Sequence, residues 1–187
     1  MMPKSRFFIT GTPRSRTAWL AAVFSTGPAL CYHEPTRELH ELCQRHGGRS
    51  VGVSSPSFVL RFRALRADYP RTPWLYVERD PQEALASLLV FLRPHFGAAS
   101  AQAPEVIEAG LNALMARHQE EAQVLKAHPM VKVVRYEDLD NTAAAAEIWQ
   151  HLLPDEPADL ARWKLMGGLR IEQHAQKALK NLRCLCQ

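Results

Sequence analysis

Short apolar runs alternate with helix-periodic stretches along most of the chain. Arg6 to Thr10 is the first run, and it stops at Gly11. Residues 15 to 26 then place Trp19, Leu20, Val23 and Phe24 on one helical face, and Gly27-Pro28 ends that pattern. Ala29 to Tyr32 predicts a second strand, Thr36 to Arg45 a helix ending at Gly47-Gly48, and Ser50 to Val53 a third strand. Ser57 to Asp68 is amphipathic, with Phe58, Leu60, Phe62 and Leu65 among arginines. Trp74 to Val77 is a fourth strand, and Pro81 to Leu92 a helix with proline in its first turn. Residues 94 to 104 are small and turn-rich, the composition of a flexible loop or lid. A long helix over Pro104 to His128, a strand over Val131 to Val134, and helices around 142–152, 157–165 and 171–183 complete the pattern.

This alternation predicts a parallel sheet covered on both faces, a three-layer α/β sandwich with four or five central strands. No repeat or linker divides it, so residues 1–187 read as a single domain. Such sheets bind ligands at the carboxyl ends of their strands. The segments to inspect are therefore Gly11 to Thr17, His33-Glu34, Ser54-Ser55, Glu78-Arg79-Asp80, and Arg135 to Asp138.

Composition narrows the function. Hydrophobic residues make up 47% and charged residues 22%, ordinary for a globular protein. The net charge of +4 is mild, and no lysine-arginine block or aromatic-basic strand points to nucleic acid. Apolar runs are too short to cross a membrane, and Phe7 to Thr10 is too short for a signal-peptide core, so the expected location is the cytoplasm. Four cysteines form no disulfide framework, and Cys184 and Cys186 lack the second pair that a zinc site needs.

The first strand end, "GTPRSRTAWL", is built for an anion. Arg14 offers a planar donor fork to phosphate or sulfate oxygens, and Ser15 and Thr17 offer hydroxyls at a helix start. A triphosphate loop would read G-x-x-x-x-G-K-[ST]; counted from Gly11, Arg16, Thr17 and Ala18 stand at its last three positions. The residues alone leave open a capped helix with solvated arginines. "VERDPQEALASL" places Arg79 after the fourth strand and Ser87 about two turns into the next helix, where the two can share one phosphate.

Together these stretches resemble the sulfotransferase family. "GTPRSRTAWL" is similar to its 5'-phosphosulfate loop, "VERDPQEALASL" to its 3'-phosphate motif, and "VVRYEDL" to a segment ending a later strand. They stand in the family's order and cover residues 6 to 140. The resemblance implies a P-loop-like sulfotransferase fold. It also implies transfer of a sulfuryl group from 3'-phosphoadenosine-5'-phosphosulfate (PAPS) to a hydroxyl or amine, leaving adenosine 3',5'-bisphosphate, with no metal required. Pro13, Arg14, Ser15, Arg16, Thr17 and Ala18 would wrap the 5'-phosphosulfate, with Arg14 in the place of the family's catalytic cation. Trp19 and Tyr136 match residues near the adenine, with core packing as the alternative for each, and Arg79 and Ser87 would hold the 3'-phosphate. Arg16 departs from the family, which has glycine there. Either the backbone is already helical at Arg16 and its side chain adds charge, or the loop holds its ligand differently.

The acceptor needs a base. His33 and Glu34 compete; Glu34 fits the family members that use a glutamate after the first helix, and is the first choice, with His33 second. Ser54 and Ser55 stand where other members carry a histidine. "MGGLRIEQH" matches the family's C-terminal basic segment poorly; a helix cap at Gly167 or Gly168 followed by exposed Arg170 suits it better. The chain is short for the family, so the pocket for a small-molecule or glycan acceptor is small, open, or completed by a second subunit of a homodimer. Two rivals share the fold: a P-loop nucleotide kinase or NTPase, and a nucleotide-binding module without catalysis.

Overall fold

The computed structural model describes residues 4–25, 28–92 and 104–168. The loop expected at 94–104 (apart from Pro104), the helix expected at 171–183, Arg170, Cys184 and Cys186 lie outside them.

Five strands, β1 (Arg6–Gly11), β2 (Ala29–His33), β3 (Ser50–Ser54), β4 (Trp74–Glu78) and β5 (Val131–Arg135), form one parallel sheet in the order β2-β3-β1-β4-β5. The helices are α1 (Thr17–Val23), α2 (Leu39–Arg45), α3 (Phe58–Asp68), α4 (Pro81–Leu92), α5 (Pro104–Lys126), α6 (Thr142–Leu152) and α7 (Leu160–Gly168). The period-two alternation of the central strands sorts the layers. Phe7 and Ile9 of β1, with Leu75 and Val77 of β4, pack against α1, α6 and α7. Phe8, Trp74 and Tyr76 face the other way, onto α2, α3 and α5. Each such side chain, once buried, contributes about 1.5–3 kcal/mol. Gly52 of β3 lies against the Phe7 ring, and a Cβ there would run into it.

Local chemistry moved several boundaries. The first helix starts at Thr17 rather than 15, because Arg16 is left-handed (φ 62°, ψ 24°) and cannot begin it. It ends at Val23, where the Ser25 hydroxyl donates to the Ala21 carbonyl and meets the Cys31 backbone, pulling the chain into β2. The long helix stops at Lys126 instead of His128, since Pro129 disfavours helical backbone before it. The last described helix begins at Leu160, behind an Asp159 carboxylate that accepts from the Arg162 N–H. It runs through Gly167 to Gly168, so Gly167 is helical and does not cap.

Candidate functional site

The carboxyl end of β1 is pinned to β4 before any charged group enters. Gly11 packs so closely that a Cβ would collide with the Val77 carbonyl oxygen and the Ser15 hydroxyl. The next residue, Thr12, donates its N–H to the Val77 carbonyl at 3.0 Å. Its hydroxyl accepts from the Arg79 N–H and pairs with the Tyr76 hydroxyl, both at 3.2 Å. The Thr12 carbonyl accepts from the Ser15 N–H at 3.1 Å, which closes the loop on itself. On the β3 side, the Ser54 hydroxyl donates to the Thr17 carbonyl at 2.8 Å.

This frame gathers Arg14, Ser15, Arg79 and Ser87. The Arg14 Nε reaches the Ser87 hydroxyl at 3.4 Å, with its guanidinium over Phe91 at 4.5 Å. Arg79 donates Nη1 to the Arg14 carbonyl at 2.9 Å. Its Nε is buried and lacks a hydrogen bond, the nearest carboxylate, Glu83, lying 3.7 Å away. The Ser15 hydroxyl is fully buried and also has no partner. An unpaired buried polar group costs about 1–3 kcal/mol, a cost that a bound anion removes. Helix α1 has only two turns, so the donor set here consists chiefly of side chains and loop.

The other expected contacts are placed as follows. Pro13 is half-buried in the loop, and Thr17 and Ala18 open α1. Trp19 is 6% exposed, donates Nε1 to the Met166 carbonyl at 2.9 Å and stands edge-on to Trp163. Tyr136 begins a 3-10 turn, Tyr136–Asp140, and carries two guanidiniums over its ring, Arg79 at 4.5 Å and Arg16 at 4.8 Å. The first alternative offered above for Arg16, a helical backbone, does not hold. Its backbone is not helical, and its guanidinium turns to Asp140 at 2.8 Å. Burial opposes its charge, but Asp140 and Tyr136 outweigh that and raise its pKa.

Among the described residues, the only non-glycine positions with positive φ are Arg14 (66°), Arg16 (62°) and Glu34 (47°). Each such conformation costs about 1–3 kcal/mol and persists where the surroundings enforce it. All three were singled out from the sequence for their chemistry.

His33 and Glu34 sit at the sheet edge. β2 is separated from β1 by β3, which puts the two strand axes about 10 Å apart at ordinary sheet spacing. The Glu34 N–H donates to the Ser54 carbonyl at 2.7 Å, and Ser54 in turn holds Thr17, so a short chain of bonds joins this edge to the loop. The Glu34 carboxylate is 60% exposed and lies 3.9 Å from His33 Nε2. His33 Nδ1 is buried without a partner. Burial lowers the His33 pKa, opposed by Glu34 and a Ser54 backbone contact, so the imidazole is neutral near pH 7. The Ser55 hydroxyl pairs with Ser57 at 2.8 Å.

Three residues escaped the sequence reading. Thr12 lies inside the quoted loop, and its hydroxyl was the available signal. Asp140 follows Tyr136 by one turn. His118 of α5 is 3% exposed; its ring nitrogens approach the Pro56 and Gly11 backbone without a well-formed hydrogen bond, and burial lowers its pKa, opposed by those two contacts. It falls on the buried stripe Met115, Ala122, Leu125, at helical spacing that marks it as interior. A cleft of about 750 Å³ opens beside Arg79, between α5 and the ends of β4 and β5. It borders the loop through Thr12 and Arg79, but Arg14, His33 and Glu34 do not line it.

Among the described residues, no group of three or more His, Cys, Asp or Glu is placed to hold a metal ion. No described helix is long and apolar enough to cross a membrane.

The sheet order and the flanking helices define the chain as an α/β protein with a five-stranded parallel central sheet. No protein-family model matches the sequence, and no curated protein matches it. The structure is similar to the crystal structure of a sulfotransferase from Alicyclobacillus acidocaldarius. The TM-score is 0.59 at 14% identity, over 96% of this chain and 91% of that one. The chain therefore has the sulfotransferase-like fold.

Proposed function

We propose that the protein is a sulfotransferase that moves a sulfuryl group from PAPS to a hydroxyl or amine acceptor. One observation carries the reading. Arg14, Ser15, Arg79 and Ser87 converge from two strand ends on one place, and two of their buried donors, Ser15 Oγ and Arg79 Nε, have no protein acceptor. That donor set suits an anion with two separate charged groups, which a nucleotide bearing a 5'-phosphosulfate and a 3'-phosphate supplies. The residues thus fit PAPS. Arg79 and Ser87 hold the 3'-phosphate, and Ser15 and the loop hold the 5' end.

In this reading the sulfur–oxygen bond to the 5'-phosphate breaks as a bond to the acceptor oxygen or nitrogen forms. Arg14 offsets the charge that develops on the leaving phosphate. Glu34 takes the acceptor's proton, and neutral His33 beside it is the second candidate. The released product is adenosine 3',5'-bisphosphate, and no step uses a metal.

The test is incubation with sulfur-labelled PAPS and a broad panel of alcohols, phenols, sugars and amines. Label transferred to at least one acceptor class is the expected result. Absence of both PAPS binding and transfer overturns the proposal.

A further inference from the structure

The residue that departs from the family pattern closes a circuit. Arg16 is held at φ 62°, a conformation that glycine would adopt freely. Its guanidinium bonds Asp140 at 2.8 Å and lies over the Tyr136 ring at 4.8 Å. Tyr136 carries Arg79 at 4.5 Å, and Arg79 returns to the loop through the Arg14 carbonyl at 2.9 Å. The contacts therefore run from the loop through Arg16, Tyr136 and Arg79 back to the loop two residues upstream. Asp140 anchors the outer corner. Removing the Arg16 side chain opens this ring at one point, and Tyr136 then loses one of the two guanidiniums over its ring.

We propose that Arg16 is a positioning residue for nucleotide selectivity: together with Asp140 it clamps Tyr136 against Arg79 and so aims Arg79 at the nucleotide's 3'-phosphate. This rests on the donor assignment above. The side chain of Arg16 is directed to Asp140, so it acts on the ligand through Tyr136 and Arg79. Cation–π contacts and a partly exposed ion pair are individually weak, so the clamp is worth about a five- to tenfold change in affinity. That change belongs to ligands with a 3'-phosphate, because Arg79 is the group being aimed.

The experiment is calorimetric titration of wild type, Arg16→Gly, Asp140→Asn and the double variant with adenosine 3',5'-bisphosphate and with adenosine 5'-phosphate. Arg16→Gly relieves backbone strain, so its thermal midpoint should be no lower than that of wild type. The expected result is about five- to tenfold weaker bisphosphate binding in each single variant, unchanged monophosphate binding in Asp140→Asn and a smaller loss of it in Arg16→Gly, and a double variant no weaker than Arg16→Gly. Bisphosphate binding as tight as wild type, or equal weakening of both nucleotides, overturns the inference. If wild type itself does not prefer the bisphosphate, the donor assignment falls, and with it the role in nucleotide selectivity. Amide hydrogen exchange over residues 136–140 tests the clamp separately: faster exchange in Arg16→Gly supports it, and unchanged exchange overturns it.

Discussion

The two ends of the candidate site differ in how they are built. At the β1–β4 end, Gly11, Thr12, Arg14, Arg79 and Ser87 are tied by backbone and side-chain hydrogen bonds into one frame, and the free donors are buried. At the β2 edge, Glu34 is exposed and is held by one backbone bond and a 3.9 Å approach to His33. The contrast has a physical reason. A site for a fixed, highly charged donor gains from rigid, preorganised hydrogen bonding, since that lowers the reorganisation cost of binding. A site that must admit and release an acceptor does not need the same rigidity.

The comparison can be broken by substitution. Arg14→Ala should lower transfer by about 10²–10³-fold with little change in the thermal midpoint, as for loss of one charge-stabilising donor. Steady-state kinetics with labelled donor measure it, and a loss below tenfold would remove Arg14 from the chemistry. Glu34→Gln should cost about 10²-fold in turnover while leaving donor affinity unchanged, and His33→Asn should cost less. The reverse order would make His33 the base. Gly11→Ala should destabilise the protein by about 1–3 kcal/mol in urea unfolding, because its Cβ has no room beside the Val77 carbonyl and the Ser15 hydroxyl.

The smallest effect is in pH. Burial depresses the pKa values of His33 and His118 below the ordinary value of about 6.5. Below that value the unfolded chain takes up protons that the folded one refuses, so stability rises with pH there. Stability is therefore full above about pH 6.5, falls on acidification, and levels off once the folded pKa values are passed. His118→Leu should flatten this acid slope, and urea unfolding between pH 5 and 8 reads it.

How much of this was legible follows the same divide. The strands, the layers and the gathering of Arg14, Arg79 and Ser87 could be read because periodicity and strand-end position are local properties of the sequence. Arg14, Arg79 and Ser87 are far apart in the chain, yet parallel strands bring their ends together by topology alone. The left-handed backbone at Arg16 was not legible, because arginine carries no signal for positive φ and Asp140, which holds it, lies 124 residues away. His118 was missed for a related reason: a histidine on an apolar helical stripe reads as packing, and the Gly11 and Pro56 backbone near its ring belongs to distant segments. The β2 edge offered only Glu34 and His33, because the shape of a pocket depends on which elements border it, a long-range property.

The proposed function requires the β1–β4 end to recognise a bisphosphate nucleotide through side chains, without metal. Calorimetric titration in excess chelator tests it most directly, comparing adenosine 3',5'-bisphosphate with ATP for wild type and Arg79→Ala. Bisphosphate binding should be unaffected by chelation, about tenfold or more weaker in Arg79→Ala, and tighter than ATP binding. Binding of ATP that requires magnesium, with no preference for the bisphosphate, would contradict it.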